Sequence, residues 1–211
     1  MIITLDGAAI GSGLGAAVPA LTLEVGPGIP SVLAVETAER PLLVSMLLGG
    51  RLRPDAGRVL ADGTENLDDL RRRSALVDTP VVAEPAAGVT LATVVAEELS
   101  FAAQASSRKA VRQFLVTHGL AEFARVPVRA VPPVHRIRLF CELALLRGNV
   151  TALVLTSPER HGGEPTGWYE PLAAIAARGV TIAIVTDATT AGTLISLGAA
   201  DALAPQVKEA A

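Results

Sequence analysis

The stretch Ser31-Val-Leu-Ala-Val35, which leads within a few residues into Pro41-Leu-Leu-Val-Ser-Met-Leu-Leu48 and then Gly49-Gly50, sets the architecture of this chain. Its first five residues form an apolar run of strand length, which predicts a buried strand. Proline at the first helical position and glycine after the last predict a helix with both ends marked. A buried strand that leads into a helix is typical of a parallel α/β sheet.

Before this stretch, Met1 to Leu5 reads as a short strand, and Ala20 to Val25 alternates apolar residues on one face. We expect these two runs to form an antiparallel pair. After it, turn signals surround a short predicted strand from Arg58 to Ala61, and a further strand is predicted from Ser74 to Asp78.

The remainder of the chain alternates helical and strand patterns, which favours parallel pairing in an α/β sheet. The predicted helices are Thr90–Ala105, Ser106–Gly119, Arg136–Leu146 and Glu170–Ala177, and the predicted strands are Thr151–Leu155 and Val180–Val185.

Composition excludes several classes of protein. The 211 residues carry 18 basic and 21 acidic side chains, so the chain lacks the overall positive charge of a nucleic-acid binder. The single Cys141 closes no intramolecular disulfide, and the cysteine and three histidines lack metal-ligand spacing. The mean hydropathy is high, +0.46, but glycines and a proline interrupt the longest uncharged stretch, between Asp6 and Glu24. The N-terminus has no signal-peptide pattern. We therefore expect a cytoplasmic location, peripheral at the inner face of a membrane.

Five segments, in order and spacing, resemble the ATP-binding cassette (ABC) transporter ATPases. Leu52–Gly63 resembles the stretch after the phosphate-loop helix, and Val89–Phe101 resembles the start of the helical subdomain. Arg136–Leu146 resembles the helix after the signature motif. Thr151–Pro158 resembles the Walker B strand and its loop, and Gly179–Asp187 resembles the switch-histidine strand.

The resemblance implies an α/β fold with a P-loop NTPase-like core. Its sheet would be mixed or parallel, with an N-terminal antiparallel β subdomain and an inserted α-helical subdomain. Residues 1–205 would form one domain, followed by a tail at 206–211. Within that domain, 1–88 would hold the β subdomain and the first half of the core, 89–147 the helical subdomain, and 148–205 the second half of the core.

The positions that would form the Walker A loop carry the wrong side chains for phosphate. Such a loop needs glycines, a lysine and a hydroxyl residue. Here Val35, Ala38 and Arg40 stand at the glycine positions, Pro41 at the lysine and Leu42 at the hydroxyl. Neither of the two lysines of the chain, Lys109 and Lys208, lies near this loop in sequence.

The other motifs of the family are missing in the same way. Val131-Pro-Pro-Val-His135 replaces the signature, Thr156-Ser157 replaces the Walker B carboxylates, and Asp187 stands at the switch histidine. We therefore expect a pseudo-ATPase with no catalytic residue, no bound metal and no cofactor. The alternative is an ATPase that binds ATP and Mg²⁺ unconventionally, with Arg40 as the substitute cation.

A second alternative is a dinucleotide-binding oxidoreductase, because Gly11-Ser-Gly-Leu-Gly-Ala16 fits Gly-x-Gly-x-x-Ala. Pro19 and the lack of an acid about 20 residues beyond Gly11 disfavour it.

The leading hypothesis is a cytoplasmic scaffold or accessory subunit of a membrane protein. The resemblance implies a membrane protein subunit as partner, and a homodimer or a heterodimer with another ABC ATPase. The apolar segment Val77 to Gly88 occupies the family's Q-loop position, and we predict that Thr79, Pro80, Val81 and Val82 contact the partner.

Overall fold

The computed structural model describes residues 1–35 and 40–203. The strands are β1 Ile3–Ile10, β2 Val18–Val25, β3 Ser31–Ala34, β4 Ala56–Ala61, β5 Ser74–Val77, β6 Ala152–Thr156, β7 Thr181–Thr186 and β8 Ala200–Asp201. The α-helices are α1 Arg40–Leu48, α2 Leu67–Arg73, α3 Leu91–Phe101, α4 Arg108–Thr117, α5 Pro133–Leu145, α6 Pro165–Ala176 and α7 Ala188–Ser196. Short 3-10 turns lie at Gly13–Gly15, Ala121–Phe123, Val128–Ala130 and Pro158–His161.

Two sheets organise the molecule. A three-stranded antiparallel sheet has the order β2-β1-β4, and a five-stranded parallel sheet has the order β5-β6-β7-β3-β8. The prediction of an N-terminal antiparallel subdomain beside a parallel α/β core is therefore confirmed. Because the carboxyl ends of parallel strands lie at the same edge of a sheet, the residues that follow β5 and β6 are neighbours.

The parallel sheet separates two apolar cores, since successive side chains of a strand point to opposite faces. In β6, Leu153 and Leu155 pack with the helices α3 to α7. Ala152 and Val154 pack on the other face, with α1, α2 and the antiparallel sheet. All five residues of β6 are buried, which explains its continuous apolar sequence.

The helices α3, α4 and α5 form the inserted helical part that the resemblance predicts. Thr90 caps α3 and Ser107 caps α4, each accepting a hydrogen bond from a backbone N–H three residues later. Within the described ranges, no helix is both long and apolar enough to cross a membrane.

Two helices and one strand were not predicted from the sequence. Asn66 caps α2, whose first turn is acidic and whose last turn is basic, as the helix dipole favours. Asp187 caps α7, which leads into the short strand β8. In addition, α6 begins five residues before the predicted Glu170, at Pro165, and includes Pro171. The predicted tail 206–211 lies outside the described residues.

The glycine pair Gly7 and Gly57 lets β1 and β4 approach closely at an irregularity in their pairing. Both residues have positive φ, and a Cβ on Gly57 would overlap the Gly7 carbonyl. Gly63 also has positive φ, but a Cβ there would meet no atom within 4 Å. The two glycines therefore separate the cost of backbone strain from that of overlap.

Replacing Gly63 with Ala should cost about 1 to 2 kcal/mol of unfolding free energy, because only the left-handed backbone is strained. Gly57→Ala should cost about 1 to 3 kcal/mol more, since the new methyl group must also displace backbone. Chemical denaturation of both variants measures the difference. Equal losses would contradict the close approach of β1 and β4.

Candidate functional site

Three hydroxyl groups form a buried chain at the carboxyl edge of the parallel sheet. Oγ1 of Thr156, the last residue of β6, lies 3.0 Å from Oγ1 of Thr79 and 2.8 Å from Oγ of Ser45 on α1. All three residues are buried. The hydroxyls thus satisfy one another at the position where the family resemblance places Walker B carboxylates.

An ion pair lies beside these hydroxyls. Nε and Nη2 of Arg136 on α5 donate to Oδ2 and Oδ1 of Asp78 at 2.6 and 2.7 Å. Only 3% of the Arg136 side chain and 7% of the Asp78 side chain are exposed. Nη1 of Arg136 also donates to the Val128 carbonyl at 3.1 Å, so the buried guanidinium has partners on three of its nitrogens.

Further charged groups surround the pair. Nη2 of Arg160 lies 3.5 Å from both Oδ1 of Asp78 and Oε1 of Glu84. Arg160 also donates to the backbone carbonyls of Asp78, Thr156 and Ser157. Nε2 of His161 lies 3.0 Å from Oδ2 of Asp78, although it is not aligned for a hydrogen bond. We call Asp78, Glu84, Arg136, Arg160 and His161 the ionic cluster.

The cluster favours the ionised form of its central carboxylate. Burial raises the pKa of Asp78, but the contacts with Arg136 and His161 outweigh it and lower the pKa to about 2. The stability that this shift contributes is present above pH 4 and is lost as the pH falls toward 2.

Three members of the cluster have ligating atoms within 4.8 Å of one another, namely Asp78, Glu84 and His161. The donor set does not fit a divalent cation, because Arg136 and Arg160 lie against the same two carboxylates. Their positive charges already neutralise the negative charge that would attract the metal.

The described residues at the predicted phosphate-loop positions make contacts within the chain. Val35 donates its backbone N–H to the Thr186 carbonyl at 2.8 Å, and Arg40 donates Nε to the Ala17 carbonyl at 2.9 Å. Pro41 and Leu42 continue the first turn of α1. Ala38 lies outside the described residues. A cavity of about 150 Å³ beside α1 has an almost wholly apolar lining: Val18, Pro19, Leu21, Leu33, Ala34, Val35, Arg40, Val44 and Leu203.

The polar groups described near these positions are engaged by the chain itself. Arg40 is the one cation among the described Walker A positions, and its Nε is bonded to backbone. The hydroxyl of Ser45, one turn after Leu42, is buried against Thr156. No carboxylate of the ionic cluster is free of an arginine.

The residue at the switch-histidine position has a structural role. Asp187 accepts hydrogen bonds from the backbone N–H and the hydroxyl of Thr190, at 2.8 and 2.9 Å. These bonds lower the pKa of Asp187. His135, at the signature position, lies in the first turn of α5 and packs against the Phe123 ring at 5.5 Å.

The four predicted partner-binding residues differ in their exposure to solvent. Thr79 is fully buried and bonded to Thr156, so its side chain does not reach the surface. Pro80 is half-buried. Val81 is 94% exposed at a φ of +65°, a backbone conformation that is unfavourable for a β-branched residue, and Val82 is 47% exposed.

Val82 lines a groove of about 430 Å³ between the core and the helical part, which we call the docking groove. It runs from Arg51 and β5 to α3 and α5. Phe101, at the end of α3, lines it and is 72% exposed. Its remaining lining residues are Ala75, Leu76, Val77, Asp78, Ala83, Glu84, Pro85, Val94, Glu97, Glu98, Phe140, Leu143, Ala144 and Arg147.

Sequence reasoning missed the ionic cluster, although part of its signal was present. Asp78 directly follows β5, and Arg160 and His161 follow β6, the neighbouring strand. Polar residues after adjacent parallel strands meet at the same edge of a sheet. Arg136 gives no such signal, because it lies inside a helix 58 residues from its partner.

Solved structures of ABC transporter cassettes share this fold. A bacterial cassette, MJ0796, whose structure is dimeric, is 16% identical with a TM-score of 0.67 over 91% of this chain and 90% of its own. The protein cbiO1 of Clostridium perfringens, part of an ABC transporter complex, is 17% identical with a TM-score of 0.62 over 88% and 78%. A nucleotide-free cassette from an ABC transporter is 16% identical with a TM-score of 0.63 over 89% and 81%.

No protein-family model and no curated protein matches the sequence. At 16 to 17% identity, the structural similarity shows the fold, which is that of the nucleotide-binding domains of ABC transporters. It confirms the fold class that the sequence predicted, and fold alone does not carry activity.

Replacing Asp78 with Asn should lower the unfolding free energy by about 3 to 5 kcal/mol, because Arg136 would keep a buried charge without its counter-ion. For a chain of this size, the melting temperature should fall by about 6 to 20 °C. Asp6→Asn is the matched control, since it removes the carboxylate of the exposed pair with Arg58. Similar small losses in both variants would contradict a structural role for the cluster.

Proposed function

We propose that this chain is a catalytically inactive ABC-type subunit. It would keep the cassette fold without binding or hydrolysing ATP and would serve as a scaffold or accessory subunit of a membrane protein. The observation that carries the proposal is the sheet edge. There, hydroxyl groups of the chain itself bond to Thr156, which stands at the Walker B position, and arginines pair with the neighbouring Asp78.

Loss of the phosphate contacts is energetically large. Each missing charge-assisted hydrogen bond forfeits about 1.5 to 3 kcal/mol. Two or three such losses amount to several decades of affinity. The proline and leucine at the lysine and hydroxyl positions, with the buried Ser45, supply none of these bonds.

The docking groove supports the second half of the proposal. The family resemblance places a contact with the membrane subunit in the cleft between core and helical subdomain, and that cleft is present here. Exposed Val82 and Phe101 supply apolar contact area, while Glu97 and Arg147 supply polar groups at its wall. A groove whose lining combines apolar and charged side chains is suited to an amphipathic helix.

A second cassette is the other proposed partner. The structure of MJ0796 is that of a dimer, which supports pairing through the same fold. We propose a homodimer, or a heterodimer with an active cassette, as the functional unit.

Millimolar Mg-ATP should leave the melting temperature of the purified chain unchanged. A ligand at 100 times its dissociation constant would add about 2.7 kcal/mol, which raises the midpoint by roughly 5 to 10 °C. Mg-tripolyphosphate is the control for nonspecific ionic effects. A shift with Mg-ATP that disappears in Arg40→Ala would contradict the proposal and establish the ATP-binding alternative.

Charge in the docking groove should abolish capture of a membrane partner. The variant with Val82→Asp and Phe101→Asp would place two carboxylates where an apolar helix face must pack. The measurement is affinity capture from detergent-solubilised native membranes, with integral membrane proteins identified by mass spectrometry. Ile29→Asp is the control, because Ile29 is 55% exposed and does not line the groove. Equal capture by all three proteins would refute docking at this groove.

A further inference from the structure

A second groove lies in the helical part, on the other side of α3. Its volume is about 740 Å³, and its floor is apolar, with Val111 and Leu115 buried beneath it. Three arginines, Arg108, Arg112 and Arg125, line its rim. The remaining lining residues are Ala92, Thr93, Ala96, Ser106, Ala121 and Ala124. We call it the arginine groove.

The arginine groove is distinct from the docking groove. The docking groove uses Val94, Glu97, Glu98 and Phe101 of α3, whereas the arginine groove uses Ala92, Thr93 and Ala96. At 100° per residue these two sets lie on opposite faces of the helix. A ligand in one groove therefore leaves the other accessible.

The three rim arginines make no ion pair with any carboxylate in residues 1–35 and 40–203. Elsewhere in the same part of the chain, Arg136 and Arg147 are paired with acids. Arg108 and Arg112 are one turn apart on α4, a spacing at which like charges repel. Positive charge is thus concentrated here without an internal counter-ion.

The sequence also places more positive charge in the helical part than in the rest of the chain. Residues 89–147 hold eight basic and four acidic side chains, whereas the rest of the chain holds ten basic and seventeen acidic ones. The acidic net charge of the whole chain conceals a basic helical part. Its α4 N-terminus, with Arg108 at its first position, adds the positive end of a helix dipole.

We infer that the arginine groove binds an acidic amphipathic helix of a partner protein. The apolar floor that reaches the surface is formed by four exposed or half-buried alanines, Ala92, Ala96, Ala121 and Ala124. An apolar stripe on that helix would cover these alanines, and carboxylates one turn apart would meet Arg108 and Arg112. A free phosphate or a lipid headgroup would pair with the guanidiniums but leave the apolar floor in water. The floor and the rim together therefore favour the helix.

The probe is a fluorescently labelled 16-residue helical peptide with leucine along one face and glutamate on its flanks. The control peptide has the same sequence with glutamine in place of every glutamate. In fluorescence anisotropy with the full chain, the glutamate peptide should bind at least about tenfold more tightly than the glutamine peptide. The preference should shrink as salt rises, because the contacts are charged.

The test variant carries Arg108→Gln, Arg112→Gln and Arg125→Gln, and it should lose the tenfold preference. The matched control carries Arg53→Gln, Lys109→Gln and Arg129→Gln, which remove the same charge from residues that do not line the groove. The control should keep the preference. Because all six side chains are exposed, both variants should melt within a few degrees of the parent chain.

Three results would overturn the inference: no binding of the glutamate peptide, equal binding of both peptides, or equal loss in the two variants. Sedimentation with phosphatidylglycerol vesicles tests whether the groove binds a lipid surface instead of a peptide. Vesicle binding that needs the three arginines, without peptide binding, would assign the groove to a lipid surface. Neither readout involves ATP or the docking groove, so the outcome is independent of the proposed function.

Discussion

The ion pair between Asp78 and Arg136 is the constraint on which the arrangement of this molecule depends. It joins the carboxyl end of β5 to α5, and so holds the helical part against the parallel sheet. Removing two charges from water is costly, and that cost is offset only where geometry and additional hydrogen bonds are good. Here the pair is bidentate, and the Val128 carbonyl accepts from the remaining nitrogen. Arg160 extends the same connection to the loop after β6.

The cluster also explains how a cassette fold persists without cassette residues. In the parallel sheet, the edge that carries polar loops needs its buried polar groups satisfied, whatever satisfies them. Thr156 is satisfied by Thr79 and Ser45, and Asp78 by arginine. Those internal bonds satisfy the buried polar groups of the edge. Retention of the fold therefore carries no implication that the reaction is retained.

The parts of the fold that depend on local pattern were predictable. The alternation of β2, the continuous apolar runs of β6 and β7, and the proline and glycine around α1 each have a direct physical meaning. The helix α2 was not predicted, although its cap Asn66, its acidic first turn and its basic last turn are local signals of a helix. The contact between Asp78 and Arg136 could not be predicted from the sequence, since it joins residues 58 positions apart from a loop and a helix interior. For the same reason Thr79 was expected on the surface, whereas its hydroxyl is bonded to β6.

The most direct measurement of the central claim is hydrogen–deuterium exchange of the chain with and without Mg-ATP. The amides of α1 and those after β5, from Asp78 to Glu84, lie where a bound nucleotide would change protection. If the chain's own side chains close this edge, exchange in both segments should be the same in the two samples. Increased protection of the α1 amides in Mg-ATP would show that the edge opens to nucleotide and would contradict the account.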